Sequence, residues 1–114
     1  MTTYSLASVL FVANTQNDPI GDPVAALEAM AGLGFRATEL LADGERWVPP
    51  GPGEVTKLKN ALERFDIDPA TIHTPMKGID LASPDAAIRA DSIERIANAM
   101  SFGADLGVRT AIVN

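Results

Sequence analysis

The chain has 114 residues, 46% of them hydrophobic and 21% charged, and this size and composition are typical of one globular domain. Fifteen acidic residues against nine basic ones give a net charge of -6, which argues against nucleic acid as a partner because phosphate backbones are bound through Lys and Arg. The sequence has no apolar run of about 18 residues to span a membrane, and its lack of cysteine excludes disulfides and thiolate metal sites and fits a cytoplasmic location.

The first predicted unit is a strand followed by a helix. Tyr4–Val12 is an apolar run with β-branched and aromatic members, which is typical of a strand. Asp22–Pro23 combines an N-cap residue with a proline at the first helical position. The apolar residues that follow recur at helical spacing, and Gly34 is expected to end the helix.

The second predicted unit begins with the strand Arg36–Ala42. The segment Asp43–Gly53 is rich in proline and glycine and is expected to be a loop, with the only tryptophan, Trp47, within it. The apolar face of the next helix is expected to comprise Val55, Leu58, Leu62 and Phe65.

The third predicted unit consists of the strand Ala70–Thr74 and a long helix, and the strand Thr110–Val113 follows it. Ser83–Pro84 repeats the cap-plus-proline signal at the start of this helix, and Gly107 is expected to end it. Ser83 and Asp85 are therefore interpreted as helix-start residues rather than catalytic ones. The predicted apolar stripe of the helix includes Ile93, Ile96, Met100 and Ala104.

Strands that alternate with helices imply parallel pairing, and the resulting order fits either an open doubly wound sheet or a segment of a (β/α)₈ barrel. Side chains alternate faces along a strand, so Glu39, His73 and Asn114 each lie on a face that admits polar groups, opposite an apolar face. A barrel has this asymmetry because its outside meets helices and its inner top holds the site. The predicted fold class is α/β, with about four strands and three helices as the parallel (β/α) units of a half TIM barrel.

Two stretches carry motifs in a definite order. Gly34–Ala42 is GFRATELLA, and the segment from Thr71 contains TIHTP, IDLASPDAAIRADSI and LGV. They fit the patterns G-[FY]-x-x-x-E-L, H-x-P, N-L-[AG]-S-x-D-x-x-x-R-x-x-[SA]-[IL] and L-G-[AV], and so the chain resembles the xylose isomerase-like TIM-barrel superfamily, although Asp80 stands where many relatives carry Asn. The matching residues are Glu39, His73, Pro75, Leu81, Ser83, Asp85, Arg89, Ser92, Ile93, Leu106 and Gly107.

This superfamily includes sugar-phosphate isomerases and epimerases, inosose dehydratase-like proteins and endonuclease IV. Such barrels run to about 250 residues or more, so the resemblance implies that residues 1–114 are a single domain, the N-terminal half of a barrel. In the isomerases and epimerases a divalent metal (Mn, Mg, Zn or Co) is held mainly by residues of strands five to eight. The resemblance therefore implies a metal in the complete barrel and leaves open whether this chain alone holds one.

The nuclease branch uses a histidine after strand three as a metal ligand, and His73 matches that position. It also uses a histidine at the end of strand four, where this chain has Asn114, and this departure weakens the nuclease interpretation. The loop Gly44–Pro50, GERWVPP, is similar to the nuclease branch, so that alternative stays open.

His73 and Glu39 are expected to line a pocket. The structural alternatives are a hydrogen-bonded histidine at a strand end and an ion pair of Glu39 with Arg36 or Arg109. Trp47 is expected either to stack on a sugar or to cover the rim of the barrel. The candidate substrate-binding residues are Glu39, His73, Trp47 and Asn114, and no catalytic residue is assigned.

The predicted function is the N-terminal part of a divalent-metal-dependent sugar or sugar-phosphate isomerase or epimerase, incomplete for catalysis alone, with a small-molecule sugar as its partner. One alternative is a catalytically inert half-barrel that forms a homo-oligomer, because four parallel strands leave open edges. The other is an abasic-site DNA repair enzyme, against which the acidic charge and Asn114 argue.

Overall fold

A computed structural model of the chain describes residues 5–11, 23–42 and 47–113, with the backbone path alone for residues 5–11. Strands and helices alternate along it as predicted. Within these residues no helix combines the length and the apolar composition needed to cross a membrane. The predicted strand ends Tyr4 and Val12 and the predicted cap Asp22 lie outside the described residues. The elements are β1 Ser5–Phe11, α1 Pro23–Gly32, β2 Ala37–Leu41, α2 Pro52–Arg64, β3 Asp68–His73, α3 Ala86–Asp105 and β4 Thr110–Ile112.

The four strands form one parallel sheet in the order β1-β2-β3-β4, so each strand pairs with its neighbours along the chain. Parallel neighbours need a crossover connection, which α1, α2 and α3 supply. The register aligns Leu41 with His73 and His73 with Ile112. The carboxyl ends of β2, β3 and β4 therefore meet at the same edge of the sheet.

One face of the sheet is covered by all three helices. Leu40 of β2 and Ile72 of β3 are each 1% exposed, and they belong to one hydrophobic cluster with Leu27 of α1, Leu58 of α2 and Phe102 of α3. A doubly wound sheet has helices on both faces, whereas a barrel has them on its outside only. The arrangement is that of a barrel wall.

Two positions after the end of each described helix, a residue has a left-handed backbone conformation. The backbone angle φ is 91° at Gly34 and at Gly107, and 53° at Asp66. In each case the next amide donates to the carbonyl five residues earlier, which is the Schellman motif. The two predicted helix-ending glycines are thus confirmed, and Asp66 fills the same position after α2. The residues that follow pack against the core, namely Phe35, Ile67 and Val108.

The start of α3 differs from the prediction by two residues. Asp85 is the N-cap, and its carboxylate accepts a hydrogen bond of 2.8 Å from the amide of Ala87. The helix consequently begins at Ala86 and not directly after Ser83, although the interpretation of Ser83 and Asp85 as helix-start residues is confirmed.

The predicted apolar stripe of α3 was largely wrong. Ile96 is buried, but Ile93 is 60% exposed and Met100 is 47% exposed. Two stripes of this helix are apolar, and hydrophobic periodicity alone does not decide which of them meets the core. The buried residues of α3 are Ser92, Ile96, Ala99, Phe102 and Gly103.

Candidate functional site

Two rows of side chains lie on the face of the sheet opposite the helices, near the carboxyl ends of the strands. Residues in register on adjacent parallel strands share a face, and successive residues of a strand alternate faces. The predicted common face of Glu39 and His73 is therefore confirmed. The row nearer the carboxyl ends is Leu41, His73 and Ile112, and the row before it is Glu39, Thr71 and Thr110.

The carboxylate of Glu39 lies beside two side chains of β3. The hydroxyl of Thr71 donates a hydrogen bond of 3.2 Å to Glu39 Oε1, and Glu39 Oε2 lies 3.6 Å from His73 Nε2. The side chains of His73 and Glu39 are 30% and 29% exposed, so both reach the surface while most of each is covered. Arg36 donates instead to the carbonyl of Phe35, and within the described residues no ion pair joins Glu39 to an arginine.

The strand continues past His73 in a fixed conformation. Both the amide and the hydroxyl of Thr74 donate hydrogen bonds of 3.0 Å to the carbonyl of Ile112. Thr74 is fully buried, and so is Pro75. The exit of the chain from β3 is thus held by β4 rather than left to the loop.

The loop between β3 and α3 is organised by several of the motif residues. The amide of Asp80 donates to the hydroxyl of Ser92, at 2.9 Å. The amide of Asp85 donates to the hydroxyl of Ser83, and Arg89 donates to the Ser83 carbonyl, at 3.1 and 2.6 Å. These residues therefore shape the approach to the site, and they do not join Glu39 and His73 on the polar face.

The described residues do not by themselves make a metal centre. Glu39 and His73 are two donors side by side, but in residues 23–42 and 47–113 no three of His, Cys, Asp or Glu come together to hold an ion. A structural or catalytic zinc site needs three or four protein ligands. His73 as a metal ligand therefore remains a prediction that requires further ligands from outside these residues.

Trp47 lies in the core, on the helix side of the sheet. It is 7% exposed, and its ring meets that of Phe102 edge to face, with centroids 5.8 Å apart. This position covers the core and leaves little of the indole for stacking on a ligand. Asn114 lies outside the described residues.

Two open depressions formed by the described residues lie away from this polar face. One of about 710 Å³ is formed by the turns that lead into the strands, with Arg36, Asp68 and Gly107 on its wall. Another of about 560 Å³ lies between α1 and α2. Neither includes Glu39 or His73, but sites in barrels lie at the carboxyl ends of the strands, and chemistry rather than volume identifies the candidate here.

Thr71 is the site residue to which the sequence assigned no role. It lies on the same strand face as His73 and pairs in register with Glu39. The alternation of faces predicted its side of the sheet, but the contact with Glu39 spans 32 residues of sequence and depends on the strand register.

The comparisons with known proteins agree with this architecture. The family model described as xylose isomerase-like TIM barrel matches residues 27–113. The crystal structure of D-psicose 3-epimerase in the presence of D-fructose resembles this chain with a TM-score of 0.68 and 24% sequence identity, over 82% of this chain and 32% of the epimerase chain. The matched region thus spans about a third of that enzyme, and at this identity the likeness is one of fold. No curated protein matches the chain significantly.

Proposed function

Since the chain belongs to the xylose isomerase-like TIM barrel family, we propose that it forms the N-terminal half of a divalent-metal-dependent sugar or sugar-phosphate isomerase or epimerase. The observation that carries this proposal is the adjacent pair of Glu39 and His73, 3.6 Å apart on the face of the sheet opposite the three described helices. Barrel enzymes build their sites from side chains at the carboxyl ends of their strands. The name of the D-psicose enzyme, which has a similar fold, supports a sugar as the ligand class.

The polar face suits a polyhydroxylated ligand. An ionised Glu39 only accepts hydrogen bonds, so it selects hydroxyl groups that donate. Leu41 and Ile112 flank His73 in register, and both are partly exposed, so they offer apolar surface to the C–H groups of a sugar. Glu39 and His73 are therefore proposed as binding residues, and the carboxylates that move protons are proposed to come from the rest of the barrel.

The proposal includes a divalent ion in the complete barrel. Such an ion, when bound, polarises the carbonyl and hydroxyl oxygens of the substrate. His73 is the described residue proposed as one of its ligands, with the others supplied from outside residues 23–42 and 47–113. A cytoplasmic location is also proposed, because the sequence contains no cysteine.

Nuclear magnetic resonance on the 114-residue chain tests the sugar site, because His73 is the only histidine and its ring signals need no assignment. D-fructose and D-psicose, titrated to about 10 mM, a concentration above the usual KM range, are expected to shift the signals of His73. Glu39→Gln is expected to weaken binding by about threefold to tenfold, the effect of one hydrogen bond. Glu63→Gln, on the exposed side of α2, is the matched control. Sugars that leave the signals of His73 unchanged would contradict the proposal.

A second candidate function is that of a self-associating module. β1 and β4 are the edge strands of the described sheet, and α3 presents Ile93 and Met100 to solvent. Open strand edges and exposed apolar stripes promote association with another chain. This candidate differs from the first in that it requires no ligand.

A further inference from the structure

The carboxylate of Glu39 has a defined orientation. Its Oε1 accepts a hydrogen bond from Thr71, the residue that pairs with it in register on β3. An ionised carboxylate has no proton to donate, so the hydroxyl of Thr71 is necessarily the donor in this contact. This bond leaves Oε2 as the oxygen that faces His73.

The imidazole of His73 presents Nε2 to that oxygen. The separation of 3.6 Å is longer than a well-formed hydrogen bond and within the range of an ion pair. A lone pair on Nε2 would be repelled by the carboxylate, whereas an N–H group at Nε2 is attracted to it. In a neutral histidine the partner of one ring nitrogen decides which nitrogen carries the proton.

We propose that Glu39, oriented by Thr71, is a positioning residue that holds neutral His73 as the Nε2–H tautomer, so that Nδ1 is the nitrogen that meets the ligand. Nδ1 then carries the only lone pair of the ring nitrogens, which accepts a hydrogen bond from a hydroxyl group of a sugar in the 114-residue chain and would bind the divalent ion in the complete barrel. Histidines that bind metal ions are commonly oriented in this way, with the N–H of their second nitrogen directed at a carboxylate. This inference rests on the proposed sugar site, but it makes a separate statement about the protein without ligand.

Nitrogen-15 spectra of the ring distinguish the two tautomers, and the single histidine makes the spectrum unambiguous. At about pH 9, where an imidazole is ordinarily neutral, the Nε2–H form is expected in about tenfold excess over the Nδ1–H form, because the Glu39 carboxylate attracts an N–H group at Nε2 and repels a lone pair there. Glu39→Gln is expected to reduce this excess by about threefold to tenfold. Glu63→Gln on α2 is expected to leave it unchanged.

Thr71 is tested by a pair of variants. Thr71→Val keeps the shape of the side chain but removes the hydroxyl, so it is expected to reduce the excess, whereas Thr71→Ser retains the hydroxyl and is expected to preserve it. A role in packing alone would give the opposite order, because Thr71→Val retains the methyl group and Thr71→Ser loses it. Backbone spectra of each variant verify that it is folded.

The outcomes separate this inference from the proposed function. A predominant Nδ1–H form, or identical ring signals in the wild-type chain and Glu39→Gln, overturns the inference whether or not sugar binds. If the Nε2–H tautomer predominates but the ring signals do not respond to D-fructose, the positioning role of Glu39 is supported and the sugar site is contradicted. When sugar binds, the Nδ1 signal is expected to shift more than the Nε2 signal, and the reverse order would remove Nδ1 as the contact atom.

Discussion

The indole of Trp47 lies against the phenyl ring of Phe102, with ring centroids 5.8 Å apart and planes inclined at 60°. The contact ties the segment between β2 and α2 to the long helix α3. Edge-to-face aromatic pairs contribute about 0.5–1.5 kcal/mol beyond the burial of their surface. Trp47 thus joins two (β/α) units on the outer face of the sheet, while Glu39 and His73 lie on the other face.

This contact predicts that the fluorescence of Trp47 reports folding and does not report ligand. Phe102→Leu is expected to lower the free energy of unfolding and to shift the emission of Trp47 to longer wavelength, because leucine cannot form the aromatic contact and its smaller side chain covers the indole less completely. Phe102→Ala is expected to cost about 3–5 kcal/mol. D-fructose is expected to leave the emission unchanged. Quenching at the concentrations that shift the signals of His73 would show instead that Trp47 contributes to the ligand site.

The left-handed residues at the helix ends predict opposite effects of two substitutions. At Gly107, φ is 91° and nothing crowds the position of an added Cβ, so Gly107→Ala is expected to lower the free energy of unfolding by about 1–2 kcal/mol through backbone strain alone. Asp66 has φ of 53° at the equivalent position, so Asp66→Gly is expected to raise the free energy of unfolding by up to about 1 kcal/mol.

Urea unfolding midpoints with an unchanged m-value measure both effects. Gly32→Ala is the matched control, because Gly32 is the last residue of α1, its φ is not positive, and an added Cβ there also meets nothing within 4 Å. This control is expected to stabilise the chain by about 0.4–1 kcal/mol, because alanine lowers the conformational entropy of the unfolded chain. A Gly107→Ala chain as stable as the wild type would show that the left-handed conformation is not required.

The order of the elements was predictable because residues of the sequence mark the ends of its helices. Gly34 and Gly107 end helices at the expected residues, and alternation along the strands placed Glu39 and His73 on one face. The position of Asp66 was not predictable in the same way, because aspartate enters the left-handed region less often than glycine and gives no clear stop signal.

The candidate site was predictable in its location and not in its contacts. Alternation gives the face of a side chain, but the register that brings Thr71 beside Glu39 depends on the packed sheet. The burial of Trp47 had no sequence signal, since a single aromatic residue in a loop has no periodicity to indicate its direction.

The sequence also did not indicate which side of α3 is buried. The apolar stripe that this helix leaves exposed predicts a further contact. Met100 and Phe102 are two residues apart, which places them about 200° apart around the helix. Phe102 packs against Trp47, so Met100 and Ile93 face away from the side occupied by the segment before α2. The stripe of Ile93, Ala97, Met100 and Ala104 is consequently left for a further partner of α3.

We therefore predict that the 114-residue chain self-associates through this stripe. Analytical ultracentrifugation at about 50 μM, where an association with a micromolar Kd is populated, is expected to give a mass above the 12.0 kDa of one chain. Met100→Glu and Ile93→Lys are each expected to shift the population towards the monomer, because they place a charge in a buried apolar contact. Leu33→Glu is the control, since Leu33 is 76% exposed after the end of α1 and is not part of the α3 stripe, so its substitution is expected to leave the mass unchanged. A folded wild-type monomer at this concentration would contradict the prediction, and equal effects of Leu33→Glu and Met100→Glu would assign the association to general apolar exposure rather than to α3.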